Sequence, residues 1–544
     1  MTPLNIYTYI AMEQFRLKSC IDFKPRDSEE YYISVVKLNG CFSYVGKSVP
    51  NGQNLSIGTY CDEISTVEHE FLHALGFYHE QSRYDRDDYV TILFLCHSGR
   101  ERNFEKVSSN KSTTNGVAYD YWSVMHYGKN AFTNGNGSTI ITSDPNFQDV
   151  IGQRYEVSPN DVLELNRHYK CNSTIAFKIH CNFSDGNMCQ MNKCSDGGIE
   201  WQMMTNAYGG PGSDHTNLPS GQGAGYFMHA STASGQEGDS AWLETEKMIA
   251  NRECHVQCLQ FYYYHNGSQS DQLNIWIREF QNELDQTGTR RLVLELEIWM
   301  CQRTTHWQSQ HVSLNATKHF QVVFEVRKGK GSSSGGFSID DINVSETECP
   351  HFTMQIDDFE SLLNNSAFGT DVHSTQLYSR GGYSYRVGIL MKKTYVSIYV
   401  QLLSGIYDDQ LEWPCPQRQV TFQMVDQNPD IQQQMTKQAS ITSDLRTFGV
   451  NGSYFWGNPR EVGTPFTDEN NETSYAGPMI SKVYFADAEE IKYREFVKGE
   501  SIVFAFTFED LTPLINGSAL PCPEVSPAAI EYPPPDVDEG PCAR

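Results

Sequence analysis

The chain has 544 residues, 39% of them hydrophobic and 12% aromatic, a folding composition too long for one ordinary core and suggesting roughly three to four domains. Its formal net charge of −26 argues against nucleic acid and anionic membrane as partners, because phosphate binding needs clustered Lys and Arg. Fifteen cysteines and twelve N-x-[ST] sequons point instead to an oxidising, secretory compartment.

In chain order, residues 1–171 mix helix and strand, an α+β pattern. Ala11 to Cys20 reads as a helix with Met12, Phe15 and Leu17 as core contacts, and "YYISVVKL" (Tyr31–Leu38) as a short strand. In the next helix Ile64, Val67, Phe71 and Leu75 recur as one apolar stripe. His69 and His73, four apart, share the other face. Two imidazoles on adjacent turns can reach one metal ion, and Glu70 lies beside them without needing to be a ligand. Gly76 lets the chain leave the helix and bring round His79 as a third nitrogen. Three protein ligands leave a position for water, which marks a catalytic rather than a structural zinc. The metal lowers the pKa of that water, and Glu70 takes its proton as general base. HExxH alone also occurs on amphipathic helix surfaces; the longer H-E-x-x-H-x-x-G-x-x-H fixes two more positions and selects the catalytic reading.

His69 to His79, followed by Glu80 and "SRYDRDDYVTI" (Ser82–Ile92), resembles the astacin family of metzincin zinc endopeptidases. "YWSVMHYG" (Tyr121–Gly128) is similar to that family's Met-turn, and "IGQRYEVSPNDVLELNRHYKC" (Ile151–Cys171) to the end of its catalytic domain. The resemblance implies one zinc per chain, Met125 as an apolar floor under the histidines, and Tyr127 as a switchable ligand that hydrogen-bonds the tetrahedral oxyanion. Without the zinc motif, Met125 and Tyr127 read as ordinary core residues. Disulfides Cys41–Cys61 and Cys20–Cys171 are implied by the resemblance, since four cysteines alone allow three connectivities.

Residues 172–349 turn to short β-rich runs such as "CLQFYYYH" and "HFQVVFEV", with "GKGSSSGG" (Gly329–Gly336) as an internal loop. "HCNFSDGNMC", "DHT", "GAGYFM" and "GGFSIDDI" resemble a MAM domain, implying Cys181–Cys189 and Cys258–Cys349. Residues 350–511, with "LEWP" and "FEDL", are similar to a MATH (TRAF-like) domain, and residues 512–544 form a Pro-rich, acidic, extended tail. The expected fold class is therefore multidomain: an α+β metzincin domain, then a jelly-roll-like MAM and a TRAF-like MATH β-sandwich.

That order resembles the meprin subunits, the β type most. This implies a protease of proteins and peptides, linked by disulfides through the MAM region into homo- or hetero-oligomers. Arg100 and Arg154 match positions lining the subsite just after the scissile bond, where guanidiniums favour acidic side chains. The alternative is an inactive adhesion or scaffold protein working through MAM and MATH; the intact Glu70 and histidines count against it.

The sequence also departs from the family. The first strand and the start of the first helix of the catalytic domain are absent, as are signal and propeptide, and no apolar stretch of about 18 residues spans a membrane. The chain reads as a piece of a secreted or cell-surface parent. "GPCAR" ends where a meprin would begin an EGF-like module and an anchor. In the family Glu80 pairs with the N-terminal amine freed by propeptide removal, so Glu80 is expected to be an unpaired carboxylate. Cys96 is unexpected, and Cys96, Cys194, Cys254, Cys301, Cys415, Cys522 and Cys542 have no assigned partner. An odd total leaves at least one free or bonded to another chain, with Cys194, Cys254 and Cys301 as candidates.

Overall fold

A computed structural model of the chain describes residues 6–59, 61, 63–94, 99–218, 225–296, 304–468, 470–515 and 536–537. The chain divides into two compact units. Met1–Ala176, Met435–Gln438 and Leu511–Leu520 form the first; Phe177–Gln434, Ala439–Asp510 and Pro521–Arg544 form the second.

In the first unit α1 (Ile6–Lys18) precedes β1 (Ile33–Val36), β2 (Cys41–Phe42) and β3 (Gln53–Ile57), and α2 (Ile64–Ala74), β4 (Val90–Ile92), β5 (Ile140–Thr142) and α3 (Pro159–Tyr169) follow. The sheet order is β1-β3-β2, with β1 parallel and β2 antiparallel to β3. The opening helix starts earlier than the sequence suggests, because Tyr7, Ala11 and Phe15 continue one buried stripe. It also ends sooner, where the Ser19 hydroxyl donates to the Phe15 carbonyl. Phe15 meets Phe71 of α2 edge-on at 6.2 Å, and Val67, Phe71 and Leu72 join Leu55 and Ile57 in the core. The apolar stripe read from α2 is thus the face that packs inward.

α3 begins with a complete capping box. Ser158 Oγ accepts from the Asp161 N–H, the Asp161 carboxylate accepts from the Ser158 N–H, and Pro159 occupies the first turn. Beside this cap, Lys18 of α1 pairs with Glu156 at 2.9 Å, both 2% exposed. Glu68 of α2 is also buried and accepts the Val157 N–H at 2.9 Å. Burial, reinforced by Glu156, pushes the Glu68 carboxyl well above its usual range, against the opposing pull of Lys18.

The second unit is mostly sheet. Thr289–Leu296, Gln272–Phe280, His319–Arg327, Ser240–Glu244 and Asn192–Asp196 lie in that order in one sheet. Gln308–Ser313, Cys258–His265, Gly336–Ser345, Phe227–Ser231 and Trp201–Met204 form another, and Leu259, Phe261, Ile275, Phe324, Phe337 and Ile339 share one core. "GKGSSSGG" joins two of these strands, as expected of an internal loop. Two further sheets follow. One contains Phe352–Ile356, Ser501–Asp510 and Arg418–Met424; the other contains Thr370–His373, Ser384–Met391, Tyr395–Leu402 and Ile480–Asp487. The tail is not wholly extended: Thr512–Ile515 is helical, and Asp536–Val537 pairs with Thr289 and Arg290.

Disulfides join Cys20–Cys171, Cys41–Cys61, Cys181–Cys189 and Cys258–Cys349. Cys194 and Cys254 are disulfide-bonded as well, which corrects their reading as candidates for an interchain bridge. Cys415 is free and buried, its thiol pushed up to about 12 chiefly by desolvation. Cys96, Gly223, Cys301, Asn516, Cys522 and Cys542 lie outside the described residues.

Replacing Lys18 by Met strands Glu156 as an uncompensated buried charge. Equilibrium urea unfolding followed by circular dichroism should show a loss of about 3–5 kcal/mol, much of it recovered in Lys18→Met/Glu156→Gln.

Candidate active site

α2 ends in a Schellman turn. Gly76 takes φ +108°, its N–H donates to His73 O, and the Phe77 N–H donates to Leu72 O at 3.0 Å. Phe77 and Leu72 meet in the core, so the turn is fixed from both sides. It presents the Phe77 carbonyl to His73 Nδ1 at 2.7 Å. His69 Nδ1 finds the Val124 carbonyl at 2.9 Å. Only N–H can donate to these carbonyls, so both Nε2 atoms carry lone pairs. His79 follows the turn and brings its Nε2 to 3.3 Å from the Nε2 of both His69 and His73.

Three nitrogens, each about 2.0–2.1 Å from one ion at tetrahedral angles, stand about 3.3–3.4 Å apart, so the donor set fits zinc. Burial, and then the neighbouring imidazoles, keep the rings uncharged: His69 is lowered to about 3, and His79 well below its usual value. Burial also lowers His73. The one other group of metal-capable side chains among the described residues, His306 with Asp358 and Glu500, rests on two exposed carboxylates.

Glu70 is 5% exposed, and its Oε2 is buried with no hydrogen-bond partner among the described residues. Burial raises its pKa to about 7, against the opposing pull of Arg154. An acceptor left dry beside three open lone pairs is arranged for a ligand that brings its own protons. Tyr127 is half-buried, its ring 4.4 Å from His79. Met125, 2% exposed, joins the core beneath.

The loop carrying Met125 is clamped by the α3 cap. Asp161 accepts from Ser123 Oγ at 2.6 Å and from the Val124 N–H at 2.8 Å. Asp120 accepts from Ser158 Oγ and from the Trp122 N–H. The carbonyl that orients His69 is therefore set by a helix cap that starts 34 residues beyond it. Ser158–Asp161 carries a legible capping-box signal; that the cap grips this loop was not legible.

Glu80 corrects an expectation. Its Oε1 is not unpaired: it accepts from the Asp120 N–H at 2.8 Å and from Arg83 Nη1 at 3.1 Å. Burial still raises its pKa well above the usual range. It lines a cavity of about 140 Å³ together with Met125, Asp161, Glu164 and His168. Arg154 joins the site, with Nη1 donating to the Val124 carbonyl at 3.3 Å and to the Gln153 carbonyl at 2.8 Å. Arg100 is exposed at the start of the turn Glu101–Phe104, and among the described residues it has no hydrogen bond to the histidines, Glu70 or Arg154.

Astacin (Peptidase family M12A) matches residues 6–170, the MAM domain of the meprin/A5/mu type residues 181–350, and the MATH domain residues 351–504. Fold and site thus define a zinc metalloendopeptidase with two accessory β domains. Meprin A subunit beta of Homo sapiens is 47% identical over 507 residues, spanning 93% of this chain and 71% of its own length. The Mus musculus beta subunit is 46% identical over 516 residues, 94% and 72% of the two chains. Meprin A subunit alpha of Mus musculus is 37% identical over 522 residues, 93% and 68%. The chain belongs to the meprin subunits of the astacin family.

Asp161→Ala releases the loop that holds His69. Chelator competition should show zinc affinity about 10–100-fold weaker, as for other lost outer-shell partners, with His69, His73 and His79 all in place.

Proposed function

We propose that the chain hydrolyses peptide bonds using His69, His73 and His79 as zinc ligands, Glu70 as general base and Tyr127 as the stabiliser of the oxyanion. The observation that carries this reading is the convergence of three uncharged imidazole nitrogens beside the unpartnered Oε2 of Glu70. Zinc, when bound, supplies Lewis-acid polarisation of the scissile carbonyl and acidifies water. Glu70 Oε2 takes a proton from the attacking water and passes it to the leaving amine as the C–N bond breaks. A carboxyl raised to about 7 is suited to both transfers near neutral pH. The Tyr127 phenol donates a hydrogen bond to the oxyanion, and Met125 keeps the floor apolar.

Acidic residues just after the scissile bond are the favoured substrates in this reading. Arg154 supports it: carbonyls occupy Nη1, and Nε and Nη2 have no protein partner among the described residues. Arg100 is the second cation on offer, exposed and free to turn toward a side chain. The domains extend over residues 1–171, 172–349 and 350–511, with 512–544 as tail. The protein is secreted or held at the cell surface, which the disulfides and the exposed sequons at Asn54, Asn110, Asn136, Asn172, Asn315, Asn364, Asn451 and Asn471 support. Subunits join by a disulfide through the MAM region, with Cys301 the remaining candidate.

Glu70→Gln should bind zinc stoichiometrically and lose about 10³-fold in kcat on a fluorogenic peptide; equal rates for the two enzymes sink the mechanism. In a peptide library varied only after the scissile bond, Asp and Glu should dominate. Arg154→Ala should cost these substrates about 10–100-fold in kcat/KM and leave neutral ones nearly unchanged.

A further inference from the structure

We propose that Gln81 and Arg86 are positioning residues for Tyr127, fixing where its phenol meets the oxyanion; this rests on the role proposed for Tyr127. Among the described residues the Tyr127 hydroxyl has no hydrogen-bond partner, so its place is set by its backbone and by the walls around its ring. The backbone is held by Gln81, whose Oε1 accepts the Tyr127 N–H at 3.0 Å. The walls are His79 at 4.4 Å, Phe132 at 5.6 Å and Phe104, which meets the ring edge-on at 5.7 Å.

One guanidinium secures two of these supports. Arg86 is buried, and its Nη1 donates to the Gln81 carbonyl at 2.7 Å and to the Phe104 carbonyl at 2.9 Å. Gln81 itself is 0% exposed, and its Nε2 is buried with no hydrogen-bond partner among the described residues. The amide cannot be flipped to relieve this, because only oxygen can meet the Tyr127 N–H. A buried donor left without a partner is destabilising, a penalty that side chains of similar size without the amide avoid. The expense lies two residues after His79, on the turn facing Tyr127, where a displacement of about 1 Å is enough to lose much of a transition-state contact.

The test uses the full chain loaded with zinc. Gln81→Met, which keeps size and removes the acceptor, should lower kcat about 10–100-fold with KM nearly unchanged. Affinity for a phosphinic peptide, a tetrahedral mimic, should fall in parallel. Gln81→Glu, which keeps Oε1, should recover most of kcat. Arg86→Lys, which leaves the Gln81 side chain in place but breaks the fork, should show the same split at smaller amplitude and serves if Gln81→Met does not fold. In a Tyr127→Phe background, Gln81→Met should change kcat by less than about 3-fold, because the hydroxyl it positions is gone. Equal losses in both backgrounds, a loss confined to zinc-depleted variants, or no loss at all overturns the inference. Tyr127→Phe with an unchanged kcat overturns the role of Tyr127 itself, and the inference with it.

Discussion

The Val124 carbonyl takes the Nδ1 proton of His69, and much of the site depends on that one hydrogen bond. An imidazole has one proton to place when neutral, and a metal needs the other nitrogen bare. A carbonyl that drifted away would let the proton change nitrogens and turn a ligand into a donor. The same carbonyl also receives Arg154, so the first ligand and the nearby cation share a single backbone anchor. The anchor stays in place because Asp161 grips the Val124 N–H and the Ser123 hydroxyl from the start of α3. A helix cap that would ordinarily serve only its own helix thus fixes a tautomer on another.

This precision is set against unfavourable electrostatics. Burial raises the carboxyls of Glu70 and Glu164 to about 7 and that of Asp161 to about 6. A carboxyl whose folded pKa is raised stabilises the fold while protonated. Stability from Glu70 and Glu164 therefore falls as pH rises from the ordinary 4.5 through about 7. The core around α1 and α2 and the Cys20–Cys171 disulfide, which joins the chain just after α1 to the chain just after α3, offset that cost. The buried Lys18–Glu156 pair lies in the same region, beside Glu68, whose carboxyl burial pushes well above its usual range.

What was legible in the sequence was whatever obeys local periodicity. The α2 stripe, the shared face of His69 and His73, and the glycine turn to His79 all follow from helical spacing and from the conformation Gly76 must adopt. The β-rich text of the second unit was legible in the same way. Contacts between distant segments were not. Glu80 was expected to stand unpaired, yet it accepts from the Asp120 N–H and from Arg83. Cys194 and Cys254 looked unassigned because spacing carries no pairing information. Arg100 and Arg154 read as equivalent cations, and among the described residues only Arg154 hydrogen-bonds the loop that orients His69.

The site divides its labour by stiffness. The three imidazoles are aimed by two backbone hydrogen bonds and a helix turn, and the floor under them is packed to a few per cent exposure. Tyr127 is treated otherwise: its backbone is pinned by Gln81, its ring is walled by aromatics, and among the described residues its hydroxyl has no hydrogen-bond partner. A ligand set must not move, since a metal tolerates little error in distance. An oxyanion donor must be ready where charge develops and idle before it does. A side chain tied at its root and free at its tip meets that requirement, which explains why the sequence keeps a costly buried amide one turn from the metal ligands.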